Sequence, residues 1–121
     1  MAILVYKIIH LTGIAMTLMA LGGVMVYTIA GGSKADLNWR KGVAITHGLG
    51  MFLVLLGGFG MLARMGIHWP WPGWVIAKLV IWLLLGGALT LAKRAPNAAM
   101  VLLISAGLGG AAAWLAIMKP F

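Results

Sequence analysis

Residues 5–27 read VYKIIHLTGIAMTLMALGGVMVY. About 20 apolar residues are needed to cross the roughly 30 Å hydrocarbon core of a bilayer, so this stretch predicts a transmembrane helix. It carries His10, and an ionisable group inside a membrane is by default a candidate for a functional site. Gly13, Thr17 and Ala20 continue the His10 face at helical spacing. The stretch therefore predicts a groove of small side chains beside an imidazole, occupied either by a neighbouring helix or by a flat cofactor.

The composition indicates an integral membrane protein. Of the 121 residues, 64% are hydrophobic and 8% are charged, whereas soluble domains carry about 25% charged residues. The absence of cysteine excludes disulfides, thiolate chemistry and iron–sulfur clusters. Asp36 is the single acidic residue, which excludes catalysis by paired carboxylates. The net charge of +8 is spread over segment ends, as topology signals are, so we expect no nucleic-acid partner.

The apolar segments predict an all-α integral membrane protein. Four segments, at about residues 2–30, 42–63, 73–92 and 97–118, form a single transmembrane domain. Their short connections predict an antiparallel bundle of four transmembrane helices. The 18 glycines predict close helix–helix contact, because interfaces in lipid favour small residues.

Loop charge predicts the orientation in the membrane. Two connections on one side carry most of the cationic residues, namely Lys34, Arg40, Lys41, Lys93 and Arg94. The positive-inside rule places these loops in the cytoplasm and both termini outside. We therefore expect a multi-pass protein of the bacterial inner (cytoplasmic) membrane.

Depth in the bundle decides which polar residues can share a site. His10 and Lys78 each lie a few residues into segments that run in the same direction, so both are expected near one membrane face. His47 enters its segment from the opposite face, on the order of 15–20 Å away along the membrane normal. His10 and Lys78 are thus candidates for one pocket, and His10 and His47 are poor candidates to ligate one metal.

Structural roles compete with functional ones at each position. Lys78 can snorkel to the interface beside a tryptophan. His47 can hold two helices together by bonding a carbonyl, or bind a second haem. His10 can likewise form a plain interhelical hydrogen bond. Lys7 can snorkel outward or pair with a carboxylate.

Among cofactors, haem b fits these residues best, because it needs imidazole ligation, a flat apolar slot and basic groups for its propionates. His10 is the candidate ligand of the haem iron, the Gly13 face is the candidate slot, and Lys7 or Arg64 is the candidate propionate partner. Lys78 is a candidate second axial ligand if burial leaves its amine neutral. A three-ligand zinc site lacks ligands at one depth.

Three stretches resemble the HemJ-type membrane proteins, protoporphyrinogen IX oxidases related to CopD-like four-helix proteins. They are the Lys-x-x-His pattern from Lys7 to His10, the PGWVIAKLVIWLLL segment at 72–85 with its intramembrane lysine, and a last span that follows Pro96 and ends in Lys-Pro-Phe. The resemblance implies a four-helix fold in which His10 and Lys78 are associated with haem b binding and activity. The chain lacks the family's histidine near the end of the third span and its Asn-Glu before the last-span proline, which favours a shared fold over a shared activity.

Two classes of function follow. The first is a HemJ-like membrane haem b protein with a redox role, either oxidation of a tetrapyrrole or electron transfer to a quinone. The alternative is a cofactor-free accessory subunit of a larger respiratory or photosynthetic membrane complex. Both are compatible with lipid contact and with a homo-oligomer or a multi-subunit assembly. Solute transport is a weaker hypothesis, since broken midplane helices are not evident.

Overall fold

The computed structural model describes residues 2–30, 40–92 and 98–119, which form four α-helices. They are α1 (Ala2–Ile29), α2 (Arg40–Arg64), α3 (Gly73–Ala92) and α4 (Ala98–Met118). Within these ranges the chain forms no strand. The predicted all-α four-helix membrane bundle is confirmed.

The helix bounds match the predicted spans closely. α2 begins at Arg40 instead of residue 42, and α4 begins at Ala98 instead of residue 97. Three of the helices are long and apolar enough to cross a membrane, and the apolar part of α3, Gly73–Leu89, is shorter. The loop residues on which the orientation depends, Lys34, Asp36, Lys93 and Arg94, lie outside the described residues, as does the side chain of Arg40.

The link between α2 and α3 has a defined helix stop and a defined helix start. Gly66 adopts a left-handed φ of 74°, the backbone N–H of Gly66 donates to Ala63, and that of Ile67 donates to Leu62. This is a Schellman ending, which favours glycine because a Cβ is strained at that φ. The carbonyl of Pro72 then accepts from Val75 at 3.1 Å and opens α3.

α1 packs on α2 through backbone contact at glycines. A Cβ on Gly13 would lie 2.6 Å from the backbone oxygen of Gly50, and one on Gly57 would lie 2.6 Å from the backbone nitrogen of His10. At the end of this seam, Gly60 lies directly against the ring of Tyr6. The residue pairs run in opposite directions along the two helices, so α1 and α2 are antiparallel and in close contact.

Two apolar clusters connect this pair to α3 and α4. The first lies towards the end of α1, where Leu21, Val24 and Met25 pack with residues of α3 and α4. The second joins Leu62 of α2 to Trp74 and Val75 of α3 and to Leu115 of α4. Arg64, Gly73 and Met118 therefore lie at the same end of the bundle as Ala2, and we call this the proximal end.

Gly13→Ala and Gly23→Ala test the α1–α2 contact with the same substitution on the same helix. The atoms facing Gly13 belong to the backbone of α2, which cannot move aside without separating the helices. We expect Gly13→Ala to lower the free energy of unfolding by about 1–3 kcal/mol, as overpacking does. A Cβ on Gly23 meets nothing within 4 Å, so Gly23→Ala should be neutral or slightly stabilising. Thermal unfolding in mild detergent measures both, and equal midpoints for the two variants would contradict the described packing.

Candidate functional site

His10 lies inside the bundle with one ring nitrogen already engaged. The side chain is 9% exposed, and its Nδ1 lies 2.7 Å from the backbone oxygen of Val54 in α2. A carbonyl oxygen only accepts, so Nδ1 carries the proton and donates. In the neutral imidazole the lone pair is then on Nε2. Metal-ligating histidines use this arrangement, because the hydrogen bond fixes the tautomer and the ring orientation.

The groove expected along the Gly13 face is filled by α2. Gly13 contacts Gly50 and Val54, and Thr17 contacts Gly50 across the same seam. Of the two possible occupants, a helix or a flat cofactor, the helix lies there. Gly13 therefore brings the carbonyl of Val54 within reach of His10 instead of lining an open slot.

Lys78 lies on the face of α3 that is directed into the bundle. Trp74, Ile81 and Ala88 are buried on α3, and Lys78 falls between the first two at helical spacing. The side chain is half-buried. Both roles considered for Lys78, in a pocket or as an interfacial anchor, stay predictions.

The contacts between α2 and α3 set the depth of Lys78. His47 lies opposite Leu85, and Trp82 lies opposite Met51. One more turn along both antiparallel helices brings Lys78 to the level of residues 54–55, where the carbonyl that binds His10 is located. Charges on His10 and Lys78 lie close enough to repel each other. His10 and Lys78 therefore lie at about the same depth in the bundle, and their pairing in one site stays a prediction.

His47 lies at a different level of the bundle. His10 contacts Gly57, which is ten residues beyond His47 on α2, or about 15 Å at 1.5 Å per residue. His47 is buried, and its Nε2 lies 3.1 Å from the backbone oxygen of Leu85. This contact joins α2 to α3, as the structural role considered for His47 requires.

A tryptophan and a lysine at the proximal end add a contact that sequence reasoning missed. The Nζ of Lys119 lies 5.3 Å from the ring centroid of Trp74 and donates to the backbone oxygen of Ala116. The spacing of 45 residues between Trp74 and Lys119 has no motif that signals it, because the contact depends on how α3 and α4 pack. Lys7 and Arg64 are exposed near the same end.

Within residues 2–30, 40–92 and 98–119, no group of three or more His, Asp or Glu residues can hold a metal ion. A haem iron needs only one or two axial ligands from the protein and is not subject to that limit. Comparisons with protein-family models, with curated proteins and with solved structures gave no match to this chain. The HemJ-type resemblance therefore stays a prediction.

The tautomer of His10 is directly measurable. We expect Nδ1 to be protonated and Nε2 to be bare in the neutral ring, because Val54 offers only an acceptor. Two-bond ¹⁵N–¹H correlation spectra of protein labelled at histidine, assigned with His10→Gln, report which nitrogen carries the proton. His68, which is exposed in the 65–72 link, serves as the internal reference. A proton on Nε2 of His10 would contradict the hydrogen bond to Val54.

Proposed function

We propose that this chain is a membrane haem b protein in which His10 is an axial ligand of the haem iron. The observation that supports the proposal is the hydrogen bond from Nδ1 of His10 to the carbonyl of Val54. It presents Nε2 as the ligand atom inside an apolar bundle, at the depth of the interior-facing Lys78. If His10 served only to join α1 to α2, the lysine at the same depth, Lys78, would have no part in that role.

Two features of the chain suit haem, namely the imidazole of His10 and the cations at the proximal end, but the expected slot along the Gly13 face is not open. The imidazole fits as a ligand, and the cations at the proximal end fit the propionates as carboxylate partners. The Gly13 face does not fit, because α2 fills it. We propose that haem would instead approach from the side of α3, which packs on α2 less extensively than α1 does.

His10, Lys78 and the apolar helices have separate tasks in this proposal. Bound haem supplies one-electron redox chemistry, and the protein supplies ligation, orientation and electrostatics. His10 would hold the iron, and its hydrogen bond to Val54 fixes the tautomer and the orientation of the ring. Lys78 holds a propionate or another anion as an ammonium. In the alternative, a neutral Lys78 amine is the second axial ligand, and variants of Lys78 distinguish the two roles.

A dithionite-reduced-minus-oxidised spectrum of protein purified in mild detergent tests the proposal. We expect a b-type haem signal in the wild type, its loss in His10→Ala, and its retention in His47→Ala, because His47 lies about 15 Å from His10 along α2. Haem supplied during expression controls for limited cofactor. A colourless wild type, or a signal lost in His47→Ala and kept in His10→Ala, would overturn the assignment.

Two variants of Lys78 distinguish an ammonium from a ligand. Arginine stays charged in proteins and does not replace a neutral amine. If Lys78 holds an anion, Lys78→Arg should retain the wild-type haem spectrum and Lys78→Leu, which cannot ligate iron, should weaken haem binding. If Lys78 is an axial ligand, both variants should change the low-spin signature to the same extent, as measured by absorption and electron paramagnetic resonance.

The reaction that we propose is oxidation of a tetrapyrrole or electron transfer to a quinone, in line with the HemJ-type resemblance. The described residues include no Asp or Glu. They therefore offer no carboxylate to accept the protons that a tetrapyrrole releases on oxidation, or to deliver the protons that a quinone takes up on reduction. Protoporphyrinogen turnover and quinone reduction, measured on the haem-loaded chain with His10→Ala as control, decide between the two.

A second function, an accessory subunit of a membrane complex or a homo-oligomer, is favoured by one observation on α4. Gly107 and Gly110 have nothing within 4 Å of a built Cβ, and Leu103 and Trp114 on the same helix are 73% and 52% exposed. Small residues of this kind allow close helix contact in lipid. Under this alternative the purified chain is colourless even when haem is supplied, so the spectrum described above separates the two functions.

We further propose that the protein lies in a bacterial inner membrane with both termini outside. The chain has no cysteine, so single substitutions report on one position each. We expect Ser33→Cys to be labelled by a membrane-impermeant maleimide only after cells are opened, and His68→Cys to be labelled in intact spheroplasts. The reverse pattern would place the termini in the cytoplasm.

A further inference from the structure

We propose that Lys78 and Lys119, the latter held by the ring of Trp74, bind the phosphate of an anionic phospholipid at the proximal end of the bundle. The proposed site shares Lys78 with the proposed haem site but does not require haem, since Trp74 and Lys119 have no part in ligating the iron. It gives the two lysines a common ligand that the described part of the chain does not supply.

The geometry brings the two lysines to the same tryptophan. Trp74 and Lys78 lie four residues apart on the interior-facing side of α3, which is about 6 Å along the helix axis. The Nζ of Lys119 lies 5.3 Å from the centre of the Trp74 ring, and Trp74 is 9% exposed. A buried ring thus holds the Lys119 ammonium beside the turn that carries Lys78, as a cation–π contact does.

The charges at this place are all of one sign. Lys119 lies over the ring of Trp74, Lys78 follows Trp74 by one helical turn, and His10 is a third basic group at the level of Lys78. Within the described residues there is no Asp or Glu to compensate them. Cations inside a membrane are costly and pair with anions or carbonyls. An oxyanion between Lys78 and Lys119 would compensate their charges.

Depth and surroundings favour a lipid phosphate over a soluble anion. Lys78 lies five residues from the start of α3, about 7.5 Å along the axis, and the headgroup region extends roughly 5–7 Å beyond the hydrocarbon core on each side. Its long side chain therefore reaches the level of the phosphates. Ile117 and Met118, next to Lys119, are 77% and 62% exposed, which provides apolar surface for the acyl chains.

Native mass spectrometry of the full chain, prepared without haem, tests the proposed site. The probes are dioleoylphosphatidylglycerol and dioleoylglycerol, which share their acyl chains and differ in the phosphate-bearing headgroup. We expect the wild type to bind the phospholipid at least tenfold more tightly than the diacylglycerol. Lys78→Met and Lys119→Met should each reduce this preference about tenfold, as the loss of a charge-assisted hydrogen bond does. Lys41→Met, an exposed lysine in the first turn of α2 at the other end of the bundle, is the matched control and should retain it.

Three outcomes would overturn the site. They are equal affinity for both lipids, a loss in Lys41→Met as large as in the other two variants, and displacement of the phospholipid by millimolar inorganic phosphate. Lys119→Arg keeps the charge and should retain binding, so a general folding defect at this position is recognised. Phospholipid binding by a chain that stays colourless when haem is supplied during expression would overturn the proposed haem function and leave this site standing. A haem spectrum with no lysine-dependent lipid binding would do the reverse.

Discussion

Backbone contact between α1 and α2 is the constraint on which the site depends. Gly13, Gly50 and Gly57 let the two helices approach until backbone atoms of one helix touch the other. Only at that separation does the Val54 carbonyl lie 2.7 Å from Nδ1 of His10. No hydrophobic effect drives helices together in lipid, because the lipid tails are as apolar as the side chains. Close packing of this kind is therefore a main source of helix association. The same glycines thus support the fold and orient the imidazole.

The second pair of helices brings polar groups into the bundle at defined levels. Indole and imidazole groups bond backbone carbonyls across the α2–α3 interface, through Trp82 to Met51 and His47 to Leu85. These bonds satisfy buried donors that would otherwise be costly in a low-dielectric interior. They also fix the register that brings Lys78 to the level of His10. A structural role for His47 and a functional role for His10 are compatible, because each histidine bonds a different carbonyl at a different depth.

The proximal end is cationic to a degree that the described chain does not balance. Lys119 lies over the ring of Trp74, Lys78 follows Trp74 by one helical turn, and the described residues include no Asp or Glu to compensate them. A haem propionate and a lipid phosphate could each compensate this positive charge, because each is an oxyanion attached to an apolar body. The two proposals therefore share a physical cause and differ in the residue that decides them, His10 for haem and Lys119 for lipid.

Composition and apolar run length alone determined the fold class, the four helices and their approximate bounds, because a bilayer permits few structures for such segments. The direction in which each segment crosses the membrane also predicted that His10 and Lys78 lie at one depth and His47 at another. The neighbour on the Gly13 face was left open by the sequence, since small residues accept a helix or a cofactor equally well. Tertiary structure decided that α2 lies there, that Val54 holds His10, and that Lys119 meets Trp74. Each of these contacts joins residues more than 30 positions apart. They are set by the register between helices, which no local pattern encodes.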